Sequence, residues 1–231
     1  MKKALATLAL CMLVSALPVA AQSDNMSFFI TSVGSMDGAN LGGPEGADAH
    51  CEALAYAVGA GDRVWRAYLS QMARGGQPAV NARDRIGSGP WYNYIGDMIA
   101  QDVTQLHSDN ANLSKSSILT ERGSAVNGRG DTPNTHDILT GSNLDGTVYT
   151  GEGATACDNW TSGADGVGSA RVGHFDRTGG GQNPTSWNSA HDSRGCSQDN
   201  LRGSGGNGYF YCFAADAPPA QQEQQQGLQE E

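Results

Sequence analysis

Four cysteines, Cys51, Cys157, Cys196 and Cys212, set the frame within which this chain must fold. They follow a leader, "MKKALATLALCMLVSALPVAAQ", with two lysines, an apolar run from Ala4 to about Val19, and the small residues Val19 and Ala21 placed before a cut. The run is short and nothing behind it stops transfer, so residues 1–21 read as a secretory signal peptide cleaved near Ala21. Cys11 falls inside that segment, and Leu10 stands where a lipid-attachment box requires a small residue. In an exported chain the four remaining cysteines read as two disulfides, for which three pairings are possible. No Cys-x-x-Cys occurs, which removes redox and zinc-ribbon readings.

Export predicts a secreted or periplasmic address. No later segment has the apolar length of a membrane helix, so no membrane span is expected. Of the 14 lysines and arginines, Lys2 and Lys3 leave with the leader; 12 basic side chains then face 24 acidic ones, a net charge of −12. A surface of that sign repels phosphate backbones, and nucleic acid is not an expected partner.

Residues 22–216 carry one domain's worth of patterned sequence, and residues 217–231, "APPAQQEQQQGLQEE", are a Pro-, Gln- and Glu-rich tail without apolar periodicity, expected to be disordered. "SFFITSV" reads as a strand. "GPEGADAHCEALAYAVGAG" sets Ala47, Cys51, Leu54, Ala55 and Val58 at helical spacing, with Pro44 and Glu45 suited to a first turn and Gly59 to a stop. "RVWRAYLSQ" reads as a second strand, and "GPWYNYIGDMIAQDVTQLH" as a helical or irregular apolar piece. Beyond Ser108 regular structure shrinks to the islands "HDILTG", "GTVYTG" and "ARVGHF", separated by long loops that require a staple. "GYFYCFA" is apolar on both alternating faces and reads as a buried central strand. Joining Cys212 on that strand to Cys51 on the helix would bind the two ends of the domain and leave Cys157 and Cys196 to close the loop region.

The order of these features, with "CDNWTS", "SWNS", a following cysteine and "YFYCF", resembles the C-type lectin-like fold. More narrowly, "GADAHCEALAYAVGAGDRVWRAYLS" and "ILTGSNLDGTVYTGEGATACDNWTS" are similar to segments of endostatin-like and bacterial secreted lectin-like domains. The likeness runs from about Phe28 to Phe213. It implies an α+β domain of mixed, mostly antiparallel sheets with two helices and long loops. It also implies two nested disulfides, Cys51–Cys212 and Cys157–Cys196.

Calcium-dependent lectins of that fold hold metal and sugar with a Pro-centred carboxylate loop and a later Trp-Asn-Asp. Here Trp187 and Asn188 match the first two residues of the latter, Ser189 replaces the carboxylate, and Pro184 in "GQNPTS" follows Asn183 at the wrong place. The expectation is therefore no calcium site, no metal and no cofactor, with Trp187 packed in the core. His191 beside Asp192 and His174 near Asp176 could form a polar cluster if their loops meet; surface or loop-bracing roles otherwise explain the histidines, and no catalytic signature accompanies them. Trp91, following "GSGP", is the best exposed aromatic candidate. The candidate ligand-binding residues are accordingly Asn183, Trp187, Asn188, His191, Asp192 and Trp91, in a non-catalytic, calcium-independent binding module. Its expected partner is a glycan or another cell-envelope or extracellular polymer, met through the loops between about Thr140 and Arg202. The alternative is a structural or adhesion protein that binds other proteins.

Overall fold

The computed structural model describes residues 21–216 except 152, 154, 155 and 167. The expected signal peptide, apart from Ala21, and the tail at 217–231 lie outside the described residues. The order of elements is β1 (Phe28–Ile30), α1 (Gly43–Tyr56), β2 (Trp65–Ala67), β3 (Trp91–Tyr92), β4 (Met98–Ala100), α2 (Val103–Leu106), β5 (Asp137–Leu139), α3 (Ala156–Trp160), β6 (Arg171–His174), β7 (His191–Asp192), α4 (Gln198–Ser204) and β8 (Gly206–Ala214). The chain is a mixed α+β fold whose sheets do not close.

The apolar run of β8 organises the fold. It pairs antiparallel with β1 and β2 and parallel with β5, and the sheet continues through β6 to β7. Alternation along β8 sends Phe210, Cys212 and Ala214 into one hydrophobic cluster and Tyr211 and Phe213 into another. The sheet is thus buried on both faces, as a strand apolar at every position requires. Phe28 and Phe29 divide between the same two clusters, and so do Ile138 and Leu139.

Helix α1 starts where Pro44 and Glu45 suit a first turn, and Ala47, Cys51 and Ala55 form its buried stripe. Gly59, at φ 83°, lies just past its end. Cys51 on this helix is bonded to Cys212 on β8, and Cys157 to Cys196, the nested pattern. Asp48 ties the same helix to β2, accepting from the backbone N–H of Ala67 at 2.8 Å and pairing with Arg85.

Two expectations are corrected. "GPWYNYIGDMIAQDVTQLH" folds as the hairpin β3–β4 with the short α2 behind it, because Asn93 Oδ1 accepts from the N–H groups of Ile95 and Asp97 and closes a turn that Gly96, at φ 89°, completes. Three right-handed α-helices, the left-handed segment α3 and a 3-10 turn at Ala82–Asp84 occur among the described residues rather than two helices, and "GTVYTG" contributes one bridge, Ser142 to Val148, rather than a strand. Segment α3 is a left-handed turn, with φ between 46° and 67° at all five residues. Left-handed helix costs L-residues roughly 1–2 kcal/mol each. The turn is held against that cost by the Cys157 disulfide, by the Asn159 amide bridging both backbone groups of Met72, and by Trp160 Nε1 donating to the Ser70 carbonyl.

Candidate functional site

Antiparallel pairing sets Asp137 on β5 opposite His174 on β6, and Val172 on β6 opposite His191 on β7. Paired residues share a face, and so do residues two apart on a strand. Asp137, His174 and His191 therefore project from one side of the sheet, joined there by His136 from the residue before β5. The three imidazole Nε2 atoms converge on one carboxylate oxygen, Asp137 Oδ1: His136 at 3.2 Å, His174 at 3.3 Å and His191 at 3.4 Å. The rings of His136 and His174 stack with centroids 4.2 Å apart, and His191 meets His174 edge-on at 5.0 Å.

Each ring is anchored at its other nitrogen. His136 Nδ1 donates to Asp176 Oδ1 at 3.1 Å, His174 Nδ1 to the Pro184 carbonyl at 2.8 Å, and His191 Nδ1 to the Asp192 carbonyl at 3.0 Å. An acceptor at Nδ1 fixes the tautomer with its proton there and leaves Nε2 as a lone pair. Both oxygens of Asp137 and Nε2 of His174 are buried without a hydrogen-bond partner. The ligand atoms of His136, Asp137 and His174 lie within 4.8 Å of one another, a set able to hold a metal ion. Burial pushes the Asp137 carboxyl up, yet the surrounding imidazoles outweigh it and hold the group below its usual range. Asp176 is likewise pulled down against burial, to about 2, by His136 and by the N–H groups of Arg129 and Thr178. The Asp137 carboxylate beside its Nε2 raises His191 against burial, favouring a second proton on that ring, so its Nε2 is a lone pair in the neutral form alone.

A glycine run lies over the cluster. A Cβ on Gly179 would come within 2.4 Å of His174 Cε1, and one on Gly181 within 3.0 Å of His191 Cβ. Only side-chain-free backbone approaches the rings this closely.

The opposite side of β6 and β7 carries a polar groove of about 420 Å³. Its floor is the buried Arg171, whose guanidinium lies 4.4 Å over the Tyr149 ring. Arg171 donates to Gln182 Oε1 at 2.8 Å and Ser189 Oγ at 3.0 Å and pairs with Asp192 at 3.4 Å. Asn183 Nδ2 donates to the Ser189 carbonyl at 2.8 Å. Asn143, Asp145 and Thr147 line the far wall. A larger cavity, about 810 Å³, lies between residues 124–127, 133–135 and 202–207. Its wall is largely small side chains and glycine, with Asn207 held by Gln198 and Arg202 and Asn134 by the His136 N–H.

The six candidate residues are divided by the fold. Asn183 lines the groove, Asp192 pairs with its floor residue Arg171, and His191 joins the histidine cluster behind it. Trp187 is core, in contact with Tyr68 and Tyr211 at centroid distances of 4.8 and 5.3 Å. Asn188 is also internal: its Nδ2 donates to Tyr68 Oη and the Asn143 and Leu144 carbonyls, and its Oδ1 accepts from Ser186 Oγ. Trp91 is buried rather than exposed, edge-on to Phe213, because its Nε1–H finds the Ala214 carbonyl at 3.2 Å. His136 and His174 are buried, not surface residues; Asp176 meets His136, whereas His174 faces Asp137. Arg171, Tyr149, Gln182, His136 and Asp137 were missed; the one trace of them in the sequence is the charged pair His136-Asp137 opening an apolar island.

Neither the protein-family models nor the curated proteins include a match to this chain.

Proposed function

We propose that this protein is an exported, non-catalytic recognition module of C-type lectin-like fold that binds a neutral glycan of the cell envelope or matrix. The observation that carries this reading is the groove in which Tyr149, Gln182 and Asn183 are held around a charge-compensated Arg171. Arg171 and Asp192 cancel each other's charge, and Asp145 on the far wall faces Arg83 at 4.0 Å, so the groove offers an anionic ligand no unpaired cation. Gln182, accepting through Oε1, keeps its amide hydrogens for a ligand, and Asn183, donating through Nδ2, keeps its carbonyl oxygen. A sugar's hydroxyls both donate and accept, and such fixed amides match them. The nested disulfides and the order of motifs agree with a lectin-like scaffold.

The test is a glycan array probed with the oxidised protein, followed by titration of any hit against Gln182→Ala and Tyr149→Phe. Loss of two hydrogen bonds from a site predicts at least a tenfold weaker Kd for Gln182→Ala. Binding unaffected by Gln182→Ala, or no glycan bound by the folded protein, refutes the reading.

A further inference from the structure

We propose that His136, Asp137 and His174 form a site for one divalent first-row transition ion, zinc foremost. The inference stands apart from the groove, which lies on the other side of the strands.

The argument begins with lone pairs. Oxygen acceptors at the Nδ1 atoms of His136 and His174 turn both Nε2 atoms toward a carboxylate oxygen that is itself unsatisfied. Three electron-rich atoms within 4.8 Å of one another in a buried space repel unless something positive stands among them. A proton on every Nε2 would supply positive charge, but it would also press two cationic rings together 4.2 Å apart. One divalent cation satisfies all three atoms at once.

The distances agree. Imidazole nitrogen and carboxylate oxygen bind zinc at about 2.0–2.1 Å in a tetrahedron, whose edge is then about 3.3 Å. The nitrogen–oxygen separations of His136 and His174 from Asp137 Oδ1 are 3.2 and 3.3 Å. Imidazole donors suit zinc, copper or nickel, whereas calcium and magnesium take oxygen shells. The supporting contacts are also those of a metal centre: Asp176 holds His136 as an outer carboxylate, and backbone carbonyls orient His174 and His191.

Three protein ligands leave one tetrahedral position for water. The ion would tie β5 to β6 beneath the Gly179–Gly181 loop. Sequence spacing hides the site because its ligands come from two separate strands.

The experiment uses the full oxidised protein, stripped with a chelator and reloaded with zinc, with metal counted by plasma mass spectrometry. One zinc per chain is expected, and a rise in melting temperature of roughly 5–10 °C at a hundredfold excess over Kd. Calcium should produce no rise. His174→Gln should abolish stoichiometric binding. If that buried variant does not fold, His191→Gln, at the partly exposed ring that contacts the ligand Asp137, should still weaken zinc by more than about tenfold, since outer-shell losses cost that much. A folded, disulfide-bonded wild type that takes up none of zinc, cobalt, nickel or copper overturns the proposal, as does wild-type zinc affinity in His191→Gln.

Discussion

Tyr68 and His107, distant in sequence, are joined by a 2.7 Å hydrogen bond from the tyrosine hydroxyl to His107 Nε2. The bond is the middle of a relay. Asn188 Nδ2 donates to Tyr68 Oη at 3.0 Å, and His107 Nδ1 donates to the Val103 carbonyl at 2.8 Å, which leaves Nε2 as the acceptor. Burial pushes the Tyr68 hydroxyl up and the His107 imidazole down, so both stay neutral in the folded state.

This relay predicts acid sensitivity above the carboxylate range. Between pH 7 and 5 an unfolded His107, with an ordinary pKa of about 6.5, takes up a proton that the folded one refuses. The unfolded state then binds more protons, so stability falls as pH falls, by at most about 1.4 kcal/mol per pH unit, and levels off below the lowered folded pKa. His191, raised by Asp137, acts in the opposite sense, gaining stability as pH falls and losing it as pH rises through its folded value. The comparison must therefore be between wild type and His107→Gln. Urea midpoints in chelator at pH 7.5 and 5.5 should show a smaller acid loss in the variant; an equal loss refutes the assignment.

Calcium should leave the melting temperature unchanged. Asn188, the residue a calcium-dependent lectin would use as a ligand, has its amide turned inward, and Ser189 brings no carboxylate. Asn188→Ala should instead destabilise by about 1–3 kcal/mol, the cost of stranding buried polar groups, with or without calcium. Thermal melts in millimolar calcium and in chelator check both statements. A calcium-dependent rise lost in Asn188→Ala would contradict them.

The two disulfides should differ in worth. Their sequence separations, 161 and 39 residues, correspond by loop-closure entropy to about 5 and 4 kcal/mol. Replacing Cys51 and Cys212 by alanine should thus cost more than replacing Cys157 and Cys196, unless the freed left-handed turn at Ala156–Trp160 adds its own strain. Denaturant midpoints of the two double variants measure the difference, and equal costs would point to that added strain.

Much of the scaffold was legible because it rests on local chemistry. The helix around Cys51 follows from apolar residues at helical spacing behind Pro44 and Glu45, and β8 from an uninterrupted apolar run. Trp187 in the core was expected for the same reason: a large aromatic with no carboxylate neighbour to make it a ligand shelf. The hairpin at Trp91–Ala100 was not legible, since its apolar residues fit a helix until Asn93 closes the turn on its own backbone.

The sequence by itself determined the disulfide count, the central strand and the first helix, all properties of neighbouring residues and of bulk chemistry. Tertiary structure alone decided the histidine centre and the groove. Asp137, His174 and His191 meet because strands β5, β6 and β7 lie in one register, and a shift of one residue would turn a side chain to the other face. Likewise Arg171 became a groove floor and Asn188 a core strut through partners far along the chain, and such contacts leave no periodicity for a sequence to display.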